Sequence, residues 1–241
     1  KVMTLKDLYE ASPFGMVSSF FYGTIQSALF TLLAVYATSM NFTILEISIV
    51  TFLLAVSGAI AQFPVGKISD IYDRRKVIIF STFGAALFSI ITILVTRQMY
   101  LPEGLATSKT WFYIFFIMFS FCSLPMFSLI LAHTNDYISK EKFVAAGAGL
   151  QFVFGFGAIS GPFLCSIVMD MFGSNGFFLF LFFFHSLIGV YGIYRMKIRP
   201  TVDNPDSQFV AMPQTITPAG IELNPTTEPI EEPNKEEFKN I

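Results

Sequence analysis

The amino-acid sequence predicts an all-α integral membrane protein of six transmembrane helices. Three observations carry that prediction. Of the 241 residues 54% are hydrophobic and 13% charged, against about 25% charged in a typical soluble domain. Thirty residues are phenylalanine. The apolar residues also gather into six runs, each near the length of about 20 residues that a helix needs to cross a hydrocarbon core.

The runs lie at about 13–37, 44–65, 77–96, 111–133, 143–171 and 177–196. Residues 1–12 read as a cytoplasmic linker, 13–197 as the six-helix bundle and 198–241 as a disordered cytoplasmic tail. The polar start KVMTLKDLYE and the length of the first run argue against a signal peptide, and a first residue other than methionine suggests a fragment. Cys122 and Cys165 sit inside runs four and five without a pairing motif and read as small core residues. Beyond Arg199 the composition changes: seven of the twelve prolines fall in 200–241, with Glu231, Glu232, Glu236 and Glu237 near the end. Such a tail has too little apolar area to offset its ordering entropy.

Charge sets the orientation, because Lys and Arg concentrate in short cytoplasmic loops. Up to Arg199, one side collects Lys1, Lys6, Lys67, Arg74, Arg75, Lys76, Lys140, Lys142, Arg195, Lys197 and Arg199, while the other holds Arg97 and Lys109. Both termini are therefore placed in the cytoplasm, and the asymmetry disfavours a chain that inserts in either direction. The sequon at Asn41 lies in an outer loop too short for ready modification and reads as chance.

The stretch GKISDIYDRRKV, residues 66–77, is too charged and too patterned for a plain basic loop. Gly66, Asp70 and Arg74 recur at helical spacing on one face, with Arg75 adjacent. Gly66 admits close approach of another helix, and Asp70 could meet the N-terminus of a neighbouring helix, where a dipole and unpaired N–H groups favour an anion.

With Gly66, Asp70, Arg74 and Arg75 in place, and Ile68 where a leucine is usual, this loop resembles the signature between the second and third helices of a six-helix half of the major facilitator superfamily. It departs from that signature at Ile71 and Asp73, and the variant Ser-Asp-x-x-Asp-Arg-Arg resembles the YcaD-like branch. SPFG at 12–15, AHTND at 132–136, and FVAMPQTITPAGIELNP at 209–225 are similar to that branch too. GFGAISGP at 155–162 looks like the superfamily's glycine-proline helix motif, carried by Gly157, Gly161 and Pro162.

The resemblance implies one half of a twelve-helix fold, the C-terminal half, built from two inverted three-helix repeats. SGAIAQFPVG in run two and FGAISGPFLC in run five occupy corresponding places and support such a repeat faintly. By the same resemblance the N-terminal six-helix half lies outside this chain, the loop acid braces the cytoplasmic side against it, and the first and fourth helices line a central cavity.

Polar side chains inside the runs then mark candidate substrate contacts, since they are costly in hydrocarbon unless they face other helices or a wet cavity. Ser19, Tyr22 and Gln26 share one face of run one. Ser120, Ser123 and Phe127 share a face of run four, where Pro125 is expected to kink the helix and free a carbonyl. Gln151 in run five could reach the same cavity or a neighbouring helix. For all of these the alternative is hydrogen bonding between helices. His133 and Asp136 end run four on one face, as a gate or proton site or simply as an interfacial pair. His185, mid-way along run six, reads as a neutral structural histidine.

The leading expectation is a secondary transporter of a small solute by alternating access, in the bacterial inner membrane, with lipid, the other half and the solute as partners. No cofactor, metal, nucleic acid or enzymatic activity is expected. The alternatives are a noncatalytic scaffold that recruits partners through its tail, and a membrane-embedded enzyme using His133, Asp136 and Ser139. No acid lies mid-span to couple transport to an ion.

Overall fold

The chain enters through a short capped helix, α1 (Leu5–Ala11), inside the segment expected to be a linker. Thr4 accepts from the Asp7 N–H, and the Asp7 carboxylate accepts from the Thr4 N–H. That backbone hydrogen bond holds the exposed Asp7 carboxyl below its ordinary range. The cap's contribution is thus full above the ordinary carboxylate pKa and lost as pH falls through the lowered one. The structure, a computed structural model, describes residues 3–97, 105–200 and 209–212, with the backbone alone at 105–108.

The long helices follow: α2 (Pro13–Ser39), α3 (Ile44–Ile71), α4 (Arg74–Arg97), α5 (Leu105–Ser123), α6 (Met126–Asn135), α7 (Phe143–Phe172) and α8 (Gly176–Ile198). All regular structure among the described residues is helical. Five stretches are long and apolar enough to cross a membrane, the last of which, Lys140–Ile198, contains both α7 and α8. Between those two the chain turns at Gly173, whose φ of +67° a residue with a side chain rarely adopts.

Local chemistry fixes the ends. Ser12 accepts from the Gly15 N–H with Pro13 at the first helical position, so SPFG is a helix start. Helix α2 ends with Asn41 at φ 59°, the Asn41 N–H on Thr38 O and the Phe42 N–H on Ala37 O, which satisfies the last carbonyls. Thr43 and Glu46 cap α3 reciprocally, and Glu46 also pairs with Lys109 at 2.7 Å across the outer end. The fourth run is broken between α5 and α6, as Pro125 predicts, because proline lacks an N–H and its ring crowds the preceding turn.

Helix α2 makes its largest contact with α7 and also lies on α8; the α5 and α6 segments lie on α3 and α4; α4 and α8 pack together; and α2 meets α6 at the centre. Most span hydroxyls bond a carbonyl of their own helix, as Ser57, Thr82, Ser89, Thr92 and Ser120 do. The rings of Tyr36, Phe112, Phe116, Phe177 and Phe178 stack and interlock in the half of the core near the α2–α3 turn.

Candidate functional site

The basic ends of the helices are laced together by two arginines. Arg74 is buried and donates from one guanidinium nitrogen to Asp136 at 2.8 Å and to the Ala132 carbonyl at 3.0 Å, and from the other to Asp70 at 2.7 Å. One side chain thereby joins α3, α4 and the end of α6. Arg75 is clamped by Asp73, which accepts from its Nε and one of its terminal nitrogens, while the other terminal nitrogen donates to the Arg199 carbonyl at 2.6 Å. Arg199 in turn donates to the Ala11 carbonyl and lies over the Tyr137 ring. Burial pushes the Tyr137 phenol up. Asp73, where the loop departs from its family pattern, is thus the partner of Arg75; a carboxylate two residues ahead of a helical arginine could have signalled it, since Asp73 also accepts from the Arg75 N–H at the start of α4.

Asp70 remains 39% exposed and accepts from two donors, Arg74 and the Phe209 N–H at 2.9 Å. Its second partner is therefore a loop amide of this chain rather than a helix start. The Phe209 ring covers Gly66, where a Cβ would collide with it. Three residues on, Ser128 of α6 accepts from the Met212 N–H at 3.1 Å and donates to the Met212 carbonyl at 3.3 Å, and the Met212 side chain is buried. Residues 209–212 are therefore a strap from the last two turns of α3 to the first turn of α6. The disorder expected of the whole tail does not extend to them, because Gly66 and Ser128 supply the apolar seat and hydrogen bonds that composition could not reveal; residues 201–208 and 213–241 lie outside the described residues.

The strap makes a local prediction. Ser128→Ala removes both Met212 bonds, worth about 1 kcal/mol each, and should speed hydrogen exchange at 209–212 by about thirtyfold. Unchanged protection there would show that the Phe209 ring holds the strap alone.

His133 and Asp136 are not used together in the expected way. Asp136 serves Arg74, a fork able to bond a carboxylate and a carbonyl at once. The buried His133 ring sits between the edges of Phe14 and Tyr137, with ring centres 5.2 and 5.1 Å away. Gly15 meanwhile lies against the Thr134 hydroxyl. SPFG and AHTND, far apart in sequence, are thus one packing unit.

Three of the mid-span polar residues, Ser19, Tyr22 and Ser123, are buried and bonded between helices. Ser19 donates to the Leu150 carbonyl of α7 at 2.8 Å. Tyr22 donates to the Leu124 carbonyl at 3.2 Å, inside the break between α5 and α6. Its ring lies 6.1 Å from Phe154, and Phe127 meets Phe154 edge-on at 5.5 Å. Gln26 is buried on the same helix, and Gln151 is half-buried beside Leu150. Ser123 points elsewhere: its hydroxyl meets His185 Nε2 at 2.9 Å, and the Nδ1 of the same ring faces the Leu181 carbonyl, so that in the Nδ1-protonated tautomer Ser123 donates to Nε2. The break at Pro125 resets the helical phase, so Ser123 faces α8 while Phe127 faces α7.

The glycine-proline motif lies where α7 crosses α2. A Cβ on Gly157 would strike the Phe20 carbonyl, and one on Gly161 the Thr24 carbonyl and Ser27 hydroxyl. Gly23 returns the contact against the Phe154 carbonyl, and Pro162 follows within α7. In α3, Gly58 is similarly pressed against Leu124. Among the described residues no group of three or more His, Cys, Asp or Glu side chains is placed to hold a metal ion.

Comparison with known proteins agrees with this architecture. The family model described as Major Facilitator Superfamily matches residues 15–230. An uncharacterised MFS-type transporter of Yersinia enterocolitica is 24% identical over 190 residues, 79% of this chain and 44% of the relative. The uncharacterised MFS-type transporter YfkF of Bacillus subtilis is 26% identical over 186 residues, 74% of this chain and 44% of the relative. One of Methanocaldococcus jannaschii is 27% identical over 179 residues, 74% and 43% of the two chains. The chain thus spans less than half the length of the curated relatives it matches. No solved structure matches.

Proposed function

Since the chain belongs to the major facilitator superfamily, we propose that it forms the C-terminal six-helix half of a secondary transporter of the YcaD-like branch. In this reading a small solute crosses the bacterial inner membrane by alternating access, with both ends of the chain in the cytoplasm and the partner half facing α2, α3, α6 and α7. The pattern of helix neighbours supports two inverted repeats. Taking α5 and α6 as one span, exchanging spans one to three for four to six maps every extensive helix contact onto another. The exchange also carries Gly58, against the fourth span, onto Gly157, against the first, which are the glycines of the two Gly-Ala-Ile segments.

The observation that carries the functional reading is the Arg74 bridge. It ties the ends of three helices through a carboxylate, Asp70, that keeps part of its surface for another partner. Gly66, Asp70, Arg74 and Arg75 act as the inner gate, with His133 and Asp136 beneath it and Gly157, Gly161 and Pro162 as the surface on which α7 rides against α2. Tyr22 and Phe127, both against Phe154, together with Gln26 and Gln151 are the proposed substrate contacts. Ser19 and Ser123, first candidates for that face, hold helices together.

Asp70→Asn tests the gate. In the protein joined to its other half, the variant should move the resting population toward inward-facing states and raise labelling of cysteines at the cytoplasmic gate, by about threefold for a loss of 0.6–0.7 kcal/mol. Equal labelling of variant and parent would exclude Asp70 as the brace. A screen for metabolites that raise the melting temperature of the same protein would identify the solute class.

A further inference from the structure

At their basic ends α4 and α8 leave an open groove of about 610 Å³. Two glycines of α8 create it. Phe83 lies over the bare backbone of Gly189, and Ile79 over that of Gly192, so both side chains sink toward α8. Phe80, Ile193 and Met196 form the walls, and Lys76 and Lys197 stand at the mouth. A second groove, of about 300 Å³, shares Lys76 and Phe80 and runs past Ile68, Tyr72 and Phe121 toward α3 and α5. Phe80, 79% exposed, is the ridge between them.

Among the described residues nothing compensates the charges at the mouth. Arg74 and Arg75 take the nearby carboxylates Asp70, Asp73 and Asp136. Among the described residues neither Lys76 nor Lys197 has an ion-pair partner. Lys76 lies in the first turn of α4, where the helix dipole adds to the pull on an anion. Two apolar troughs diverging from one ammonium, with a second ammonium beside it, match a negatively charged headgroup carrying two hydrocarbon chains.

We propose that the α4–α8 groove and its neighbour across Phe80 are a binding site for an anionic diacyl phospholipid, its phosphate held by Lys76 and Lys197 and one acyl chain laid on each side of the Phe80 ring. Charge complementarity selects the lipid over an uncharged partner, and the lengthwise troughs select it over a soluble phosphate. The site lies at the inner ends of α4 and α8, away from the substrate face, so that lipid held there buttresses the helices that carry Arg74, Arg75 and Arg195.

Native mass spectrometry of the detergent-purified protein, titrated with dioleoyl phosphatidylglycerol and with dioleoyl phosphatidylcholine, tests this. The parent protein should hold phosphatidylglycerol about tenfold more tightly than phosphatidylcholine, and Lys76→Gln with Lys197→Gln should reduce that preference to about twofold or less without weakening phosphatidylcholine binding. Unchanged phosphatidylcholine binding shows that the double variant is folded. Ile193→Trp, which fills the trough without altering charge, should weaken both lipids. Excess glycerol phosphate should not displace phosphatidylglycerol. Equal affinity of the parent for the two lipids, a preference that survives the double variant, or displacement by glycerol phosphate would overturn the proposal. So would a dimer that Ile193→Trp dissociates, since a second copy would then be the occupant.

Discussion

Gly157→Leu is expected to destabilise the bundle by about 3 kcal/mol, lowering its melting temperature in detergent by about 10 °C, while Gly155→Leu, two residues away on the same helix, leaves it nearly unchanged. The contrast follows from what each Cβ would meet. At Gly155 nothing lies within 4 Å. At Gly157 the new atom would strike the Phe20 carbonyl, with the Phe20 carbon and the Thr24 nitrogen both at 3.0 Å. Those are backbone atoms of α2, which can move away only if the two helices separate. In lipid no hydrophobic effect draws helices together, so close packing and interhelical hydrogen bonds must. Separation would stretch the Ser19 to Leu150 bond as well. Melting followed by intrinsic fluorescence checks the pair. Equal shifts for the two variants would mean that α2 and α7 do not cross where Gly157 lies.

That crossing shows how far the sequence reached. Apolar run length and the positions of Pro13, Pro125 and the Asn41 turn reveal the helices, because they depend on local chemistry and on the thickness of hydrocarbon alone. The importance of Gly157 and Gly161 was legible as a motif, but not their contact, since Gly155 looks the same in sequence and lies in open space. Polar residues at helical spacing were legible as one face of a helix, and Ser19, Tyr22 and Gln26 on that face are buried. Their hydrogen-bond partners were not legible, because the acceptors are backbone carbonyls of Leu150 and Leu124, which any residue would supply. The same is true of the strap. Nothing in FVAM announces that its amide at Phe209 will meet Asp70; only the bare surface of Gly66 and the hydroxyl of Ser128, on two other helices, make the seat. Asp136 illustrates a different limit. Three residues from His133 it suggested a gate, a proton site or an interfacial pair with that ring, and the fold also brings it an arginine from 62 positions away, a fixed cation forking to two carboxylates.

Arg74→Gln should cost about 3–5 kcal/mol, because it strips the guanidinium from the largely buried Asp136 and a donor from the Ala132 carbonyl, and removing one partner of a buried pair leaves the other desolvated. The Asp70 arm adds little to that figure, since its carboxylate is 39% exposed and water screens it. Arg74→Lys should recover only part of the loss. An ammonium is a point charge that can serve Asp136 but cannot reach the Ala132 carbonyl and Asp70 at once in the geometry of the fork. The decisive comparison is a double-mutant cycle. If charge at Asp136 causes the penalty, Arg74→Gln with Asp136→Asn should be more stable than Arg74→Gln alone, because the second change removes the uncompensated carboxylate rather than a further contact. Denaturant unfolding in mixed micelles reads all three variants. Additive losses would locate the cost in packing of the arginine stem instead. A coupling of about 1 kcal/mol or more would establish the ion pair as the joint between α4 and α6. In the carrier proposed above Asp70 would exchange Arg74 for a group on the opposing half while Asp136 keeps it, so one guanidinium would bear both on the stability of the bundle and on the balance between its states.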